Sequence, residues 1–179
     1  MQNSNYIKIE TASKSLYEWF QITHITEDLE TALLDADIVL VPAESPYSPL
    51  AFPAGTMELY QYFKEQLKGK VGICINEDEY NEIELNSRVL RLGKFIVTSI
   101  AIPLFIGILS NYIYSKLSSP TEVAIPEPNK PEYLEPTTVT FSVIVNDSIS
   151  GQIKEFNYEG PASEVSTVTE SIQNLWNEK

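Results

Sequence analysis

The chain contains one run of uncharged residues that is longer than any other in the sequence, residues 95–115, which read FIVTSIAIPLFIGILSNYIYS. It holds 21 residues and lies between Lys94 and Lys116. A helix rises about 1.5 Å per residue, so the run would extend roughly 30 Å, the thickness of the hydrocarbon core of a bilayer. Two architectures follow: either the run crosses a membrane between two small soluble parts, or it is buried at the centre of one fold.

The charges beside this run favour a membrane crossing. Arg88, Arg91 and Lys94 precede the run, and Lys116 follows it. Basic residues collect on the cytoplasmic side of membrane helices. The N-terminal segment also lacks the apolar stretch of a secretory signal, so we expect the N-terminus to stay in the cytosol. We therefore predict one membrane helix over 95–117 and a single-pass protein with a cytoplasmic N-terminus.

Pro103 divides the run and provides the alternative prediction. Proline breaks the interior of a helix because it lacks an N–H group and its ring clashes with the preceding turn. A strand over 95–102 followed by a helix over 104–117 would avoid that conflict, because a strand and then a helix is what an α/β domain supplies next. In that case the run is buried and the protein is cytoplasmic.

The segment before the run, residues 1–94, predicts an α/β domain. An uninterrupted apolar strand over 37–41 is followed by a helix over 56–67 and a second apolar strand over 70–76. Strands of continuous branched residues are typical of parallel sheets that are covered on both faces. The expected fold class is therefore α/β with a small open parallel sheet.

The composition changes after residue 117. Residues 118–136 contain five prolines and predict an extended linker. Residues 137–179 predict a ββα module, in which two alternating strands precede a helix with one apolar stripe. Its 43 residues are too few for a stable core of their own, so this module should dock against the first domain or self-associate.

Charge and composition exclude several classes of function. Lys and Arg number 12 against 25 Asp and Glu, which gives a net charge of −13. Such a surface repels phosphate backbones, so nucleic acid is not an expected partner. A single histidine, His24, and a single cysteine, Cys74, provide no Cys–His metal set. Phosphate-binding glycine motifs are also missing from the sequence, so we expect neither a metal nor a cofactor.

The loop after the first apolar strand carries the candidate ligand-binding residues. Open α/β sheets bind ligands beyond the carboxyl ends of their strands. This loop supplies Glu44, Ser45 and Tyr47, and Gly55 and Thr56 open the helix that follows. The free amides at the start of that helix would face the same crevice. We expect these residues to form a ligand-binding site.

The order of three short segments resembles the nucleoside 2-deoxyribosyltransferase superfamily. ADIVLV at 36–41, GTMEL at 55–59 and GKVGI at 69–73 follow one another as in that family, and the likeness covers residues 36–75. The resemblance implies a Rossmann-like fold with a pocket for a nucleoside or nucleotide. In the family an Asp-led strand, a Gly-Thr turn and a catalytic Glu on the next helix build that pocket.

Three carboxylates are candidate catalytic residues if the chain is an enzyme. The resemblance implies Asp37 and Glu58, and Glu44 could act as an acid or base from the loop. The family's nucleophilic Glu stands three residues after the Thr, whereas Glu58 stands two residues after Thr56. One residue of offset turns a helical side chain by about 100°. The resemblance therefore implies a related fold more than a retained activity.

These patterns lead to three hypotheses of function. The first is a non-catalytic, bacterial-type accessory or sensor protein, anchored in the membrane, that binds a protein partner or a small ligand through its α/β domain. The second is a nucleoside or nucleotide N-glycosidase or a deoxyribosyltransferase-like enzyme. The third is a soluble subunit of a multiprotein complex of the defence or toxin type.

Overall fold

The computed structural model describes residues 6–44, 50–84, 89–118, 137–146, 153–168 and 171–172. The strands are β1 Ile7–Thr11, β2 Ile38–Val41, β3 Phe52–Pro53, β4 Val71–Ile73, β5 Glu82–Ile83, β6 Val89–Thr98, β7 Thr138–Asn146 and β8 Ile153–Pro161. The helices are α1 Leu16–Thr23, α2 Glu27–Leu34, α3 Thr56–Leu67 and α4 Ile102–Ser118, with 3-10 turns at Glu77–Glu79, Ser99–Ala101 and Ala162–Glu164.

One mixed sheet contains strands from both the N-terminal and the C-terminal parts of the described chain. Its strand order is β1-β8-β7-β6-β2-β4. β2 runs parallel to β4 and β6 runs parallel to β7, whereas the β2–β6, β7–β8 and β1–β8 pairs are antiparallel. β3 and β5 form a separate short parallel pair. The predicted α/β class is confirmed, and the sheet is mixed where the sequence predicts a parallel one.

The long apolar run forms a strand and then a helix. Residues 95–98 belong to β6, which lies between β2 and β7. Phe95 and Val97 enter the core on one face of the sheet, and Ile96 enters the core on the other. This alternation is the two-residue repeat of a strand. The prediction of a continuous helix over 95–117 is therefore wrong at residues 95–98. The alternative of a strand over 95–102 and a helix over 104–117 agrees with the structure at 95–98 and 104–117, whereas Ser99–Ala101 form a 3-10 turn and Ile102 begins α4.

Helix α4 begins just before Pro103. Proline is tolerated in the first turn of a helix because its missing N–H would have no partner within the helix there. Ser99–Leu117 is the one segment among the described residues that is long and apolar enough to cross a membrane, and 44% of its most apolar window is buried within the protein. Phe105 and Leu109 are fully buried on one side of α4, whereas Leu104 is 53% exposed.

Each face of the sheet carries its own core. On one face α3 and α4 pack against β6 through one aromatic ring from each element, Phe63, Phe105 and Phe95, whose centroids lie 5.0 to 6.0 Å apart. On the other face α1 and α2 cover a smaller core that contains Trp19 and Cys74. Burial raises the pKa of the Cys74 thiol to about 11, so this thiol stays protonated at neutral pH.

The C-terminal strands complete the same sheet. β7 and β8 pair with each other as the sequence predicts, but β7 also pairs with β6 and β8 with β1. The boundary predicted at residue 94 therefore falls inside β6. Val165, Val168 and Ile172 are buried in the core that contains α4. Residues 119–136 of the predicted linker, and the predicted helix beyond residue 172, lie outside the described residues.

Glu82 caps the start of α3. The helix begins after Gly55, whose φ of 88° lies in the left-handed region that glycine adopts readily. The carboxylate of Glu82 accepts the Gly55 amide at 3.0 Å and the Met57 amide at 2.9 Å. The Tyr80 hydroxyl donates to the same carboxylate at 2.6 Å. Burial acts to raise the pKa of Glu82, but these hydrogen bonds outweigh it and the pKa is lowered.

We expect Leu109→Ala to destabilise the protein far more than Leu104→Ala, although both substitutions remove the same atoms from α4. Leu109 is 0% exposed, and its truncation leaves a cavity that costs about 2–5 kcal/mol, whereas truncation of a half-exposed leucine costs about 1 kcal/mol or less. Urea denaturation followed by circular dichroism measures both values. Equal losses in the two variants would contradict the placement of α4 in the core.

We expect Glu82→Gln to lower the free energy of unfolding by about 1 kcal/mol at neutral pH, the usual contribution of a helix N-cap. A carboxylate with a lowered folded pKa stabilises the fold above its unfolded pKa of about 4.3, and this contribution is lost as the pH falls through the folded pKa. The difference from the wild type should therefore shrink in acid. Urea denaturation at neutral and acidic pH measures it, with the exposed Glu84→Gln as control; a difference independent of pH would refute the capping role.

Candidate functional site

A cavity of about 1020 Å³ opens at the end of the sheet where β2 finishes. Because β6 runs antiparallel to β2, the first residues of β6 reach the same end, and the parallel strand β7 starts beside them. The residues that follow β2 and the short strand β3 contribute a further wall. The cavity therefore lies beyond the carboxyl end of a sheet strand, the part of an α/β fold where ligands usually bind.

A polar row crosses the floor of the cavity. Its members lie side by side on β6, β7, β8 and β1 and share one face of the sheet: Lys94, Ser142, Asn157 and Lys8. The Ser142 hydroxyl donates to Oδ1 of Asn157, and Nδ2 of Asn157 donates to Glu10 at 3.4 Å. Hydroxyl and amide groups both donate and accept hydrogen bonds, so the polar row can bind ligand groups of either kind.

An ion pair lies at the β6 end of the polar row. Nζ of Lys94 is 3.0 Å from Oε1 of Glu155, and the two side chains are 17% and 9% exposed. Buried charges persist only when they are paired, so this contact ties β6 to β8 across β7. Sequence reasoning assigned Lys94 to a membrane flank and gave Glu155 no role. The alternation along β7 and β8 predicts the strands themselves, but no local signal indicates that β7 pairs with β6 and so brings Glu155 within reach of Lys94.

Aromatic side chains from the other face of the sheet also border the cavity, because Phe141 and Tyr158 alternate with Ser142 and Asn157 along β7 and β8. The rings of Phe141 and Tyr158 stack with centroids 5.2 Å apart, and Tyr6 meets Tyr158 edge-on at 6.4 Å. Burial raises the pKa of Tyr158 to about 12, and its hydroxyl donates to the carbonyl oxygen of Pro161, so this side chain is neutral. Tyr6 is 40% exposed, whereas Phe141 and Tyr158 are buried. Tyr6 therefore presents ring surface that a ligand can reach.

Glu44 is a predicted catalytic and ligand-binding residue that lines this cavity. Its carboxylate forms an ion pair with Lys14, and the hydrogen bond from Lys14 lowers the pKa of Glu44. A carboxyl group that is ionised at neutral pH has no proton to donate as a general acid. Ser45 and Tyr47, which the sequence places beside it, lie outside the described residues.

The predicted binding residues Gly55 and Thr56 and the predicted catalytic residue Glu58 are not part of the lining of this cavity. Gly55, Thr56 and Glu58 border a separate space of about 140 Å³ together with Lys116. The Thr56 hydroxyl donates to a backbone carbonyl oxygen at 2.7 Å, and Glu58 forms an ion pair with Lys116. The sequence predicts that the amides at the start of α3 face a ligand. Those of Gly55 and residue 57 instead bond to Glu82.

Acidic side chains are dispersed over the described part of the chain. Asp37 precedes β2, at the opposite end of that strand from Glu44, and its carboxylate lies 3.9 Å from Nζ of Lys70. Asp37, Glu44 and Glu58 therefore occupy three separate places, each beside a lysine. Among the described residues, no group of three or more His, Cys, Asp or Glu side chains could hold a metal ion.

The chain was compared with protein families, curated proteins and solved structures. No protein-family model, curated protein or solved structure matches the chain. The likeness of residues 36–75 to the deoxyribosyltransferases rests on the segments ADIVLV, GTMEL and GKVGI. The cavity and its polar row are the features of the structure that bear on function.

Proposed function

We propose that the protein is a non-catalytic binding protein, an accessory or sensor component, that receives a small polar ligand in the cavity at the carboxyl end of β2. The observation that carries this proposal is the polar row on the floor of a cavity of about 1020 Å³. Ligand sites are concave, and a few polar groups among apolar ones fix the orientation of the ligand. Ser142 and Asn157 supply such groups, and Phe52 and Pro53 belong to the apolar part of the lining.

A nucleoside or nucleotide is the ligand class that we propose for this cavity. Sugar hydroxyls and base edges donate and accept hydrogen bonds, as the side chains of Ser142 and Asn157 do. The exposed ring of Tyr6 offers a surface on which a base can stack. Lys8 and Arg91 also line the cavity and can pair with a phosphate. This class is also the one that the resemblance of residues 36–75 implies.

The carboxylates support binding without catalysis. General acid–base and nucleophilic mechanisms need their groups within hydrogen-bond reach of one substrate. Asp37 and Glu44 lie at opposite ends of β2, and Glu58 borders a different space. An N-glycosidase or deoxyribosyltransferase-like enzyme is the second candidate, and the observation that favours it is the position of Glu44 in the cavity lining.

The pairing of β6 with β7 supports a core role for α4. These strands precede and follow α4, yet they pair along their length, from Val89 opposite Thr138 to Thr98 opposite Asn146. A membrane crossing by α4 would leave the two strands on opposite sides of the bilayer. We therefore propose that the protein works without spanning a membrane. The observation that favours the anchored alternative is the exposure of Ile100, which is 92% accessible.

We expect nucleosides and nucleoside monophosphates to bind the wild-type protein in isothermal titration calorimetry, and Ser142→Leu to weaken that binding at least tenfold, or about 1.4 kcal/mol. The substitution removes a donor from the polar row and fills the floor of the cavity. Glu65→Gln, on the exposed side of α3, is the matched control and should bind as the wild type does. Binding that both variants retain would place the ligand elsewhere.

The same samples separate binding from catalysis. A non-catalytic protein releases no free base from nucleosides or NAD, which chromatography of the incubated mixture detects. Base release that Glu44→Gln abolishes and Glu58→Gln leaves unchanged would refute the non-catalytic proposal in favour of the N-glycosidase. Absence of any binding across the panel would remove the nucleoside class.

We expect the full-length protein to remain in the supernatant after high-speed centrifugation of lysed cells without detergent, because the buried side of α4 is already covered by the sheet. Immunoblots of the supernatant and the membrane pellet measure this distribution. Recovery from the pellet only after detergent, and not after high salt or alkaline carbonate, would contradict the core role of α4.

A further inference from the structure

Strand β1 lies at the edge of the six-stranded sheet. It pairs with β8 on one side, and no described strand pairs with its other side. Lys8, Ile9, Glu10 and Thr11 are exposed. An open edge carries unpaired N–H and C=O groups and is a template for another strand. β1 therefore has backbone hydrogen bonds available for a partner.

The backbone contacts with β8 identify the groups that point outward. Tyr6 accepts a hydrogen bond from the amide of Glu159, and the amide of Ala12 donates to Ile153. In an antiparallel ladder, alternate residues direct both of their polar groups to the same neighbour. Residues 6, 8, 10 and 12 therefore face β8, and residues 7, 9 and 11 direct their N–H and C=O groups to the open edge.

The side chains of β1, which read IKIET, form a self-complementary pattern. If two copies pair antiparallel with Ile9 opposite Ile9, residue 7 of each faces residue 11 of the other, so every outward backbone group has a partner. In that register Lys8 of each copy lies opposite Glu10 of the other, at the close distance of a non-hydrogen-bonded pair. Pairing centred on residue 8 or on residue 10 would instead place Lys8 opposite Lys8 or Glu10 opposite Glu10, and like charges directly opposite each other are destabilising.

We propose that two copies of this chain pair through β1, antiparallel and centred on Ile9, so that their sheets join into one continuous sheet. Ile9 is 44% exposed in one copy and becomes covered by its symmetry mate. Lys8 and Glu10 already form an exposed ion pair within one copy. In the dimer each of them also lies opposite its counterpart in the second copy, and these two Lys8–Glu10 pairs between copies fix the register. Charge complementarity favours a second copy over an unrelated strand, because the opposite charges alternate here on a chain whose net charge of −13 otherwise repels its own kind.

The assembly would bring the two cavities to one interface. Lys8 belongs to the polar row of its own cavity and also lies opposite Glu10 of the second copy. Glu10 in turn accepts the hydrogen bond from Asn157 in its own polar row. The proposal does not depend on the identity of the ligand, because it rests on the edge strand alone.

Two charge substitutions test the pairing and its register. Sedimentation velocity at high micromolar concentration and about 0.15 M salt, where the Debye length is about 8 Å, should give the wild-type chain twice its monomer mass of 20.2 kDa. Lys8→Glu makes the edge acidic at both charged positions and Glu10→Lys makes it basic at both, so each variant alone should be at least tenfold weaker in self-association. A mixture of the two should recover dimers, because every facing pair is then of opposite sign.

Glu65→Lys on α3 is the control for the change in net charge and should dimerise as the wild type does. Circular dichroism spectra of the charge variants verify that they are folded, and recovery of dimers in the mixture serves as a second verification. A monomeric wild type would overturn the proposal. So would a dimer that neither substitution weakens, or a mixture that fails to recover dimers, because the copies would then meet at another surface or in another register.

Discussion

The ladder between β6 and β7 is the interaction on which the rest of the structure depends. It joins a strand from before α4 to a strand from after it, along nine registered pairs. In this central position β6 contributes Phe95 to the core beneath α4 and Ile96 to the core beneath α1 and α2. Lys94 of the same strand belongs to the polar row. A buried parallel pair is stable only when helices cover both faces, and the two cores meet that requirement.

The local sequence predicted the individual helices and strands better than it predicted which of them lie side by side in the fold. The helix expected over 56–67 is α3 residue for residue, because its apolar spacing and its Gly55 start are short-range signals. The order of strands is set by contacts between segments far apart in sequence, and no local period records them. The run at 95–115 gave a wrong prediction at residues 95–98 because central strands and apolar helices both contain many branched apolar residues. The length of such a run does not distinguish a strand followed by a helix from one long helix.

The sequence indicated where the candidate site would lie but not which residues would line it. The carboxyl end of β2 followed from fold class, and Glu44 is there. Lys94, Ser142 and Asn157 were beyond reach because each acquires its place only through strand register. The start of α3 shows the same limit: the amides of Gly55 and Met57 donate to Glu82, and a carboxylate 25 residues from Met57 in sequence gives no sign of that before the chain folds.

The pairing of the first strand with the last has a consequence for the growing chain. Glu10 and Asn157, joined across β1 and β8, are separated by 147 positions in sequence. At about 5–20 residues per second, a ribosome takes roughly 7–30 s to cover that distance. During this interval β1 has neither β8 nor a finished sheet beside it. Contacts of such long range slow folding, so β1 can take its place in the sheet only after the segments that form β2 to β8 have been synthesised.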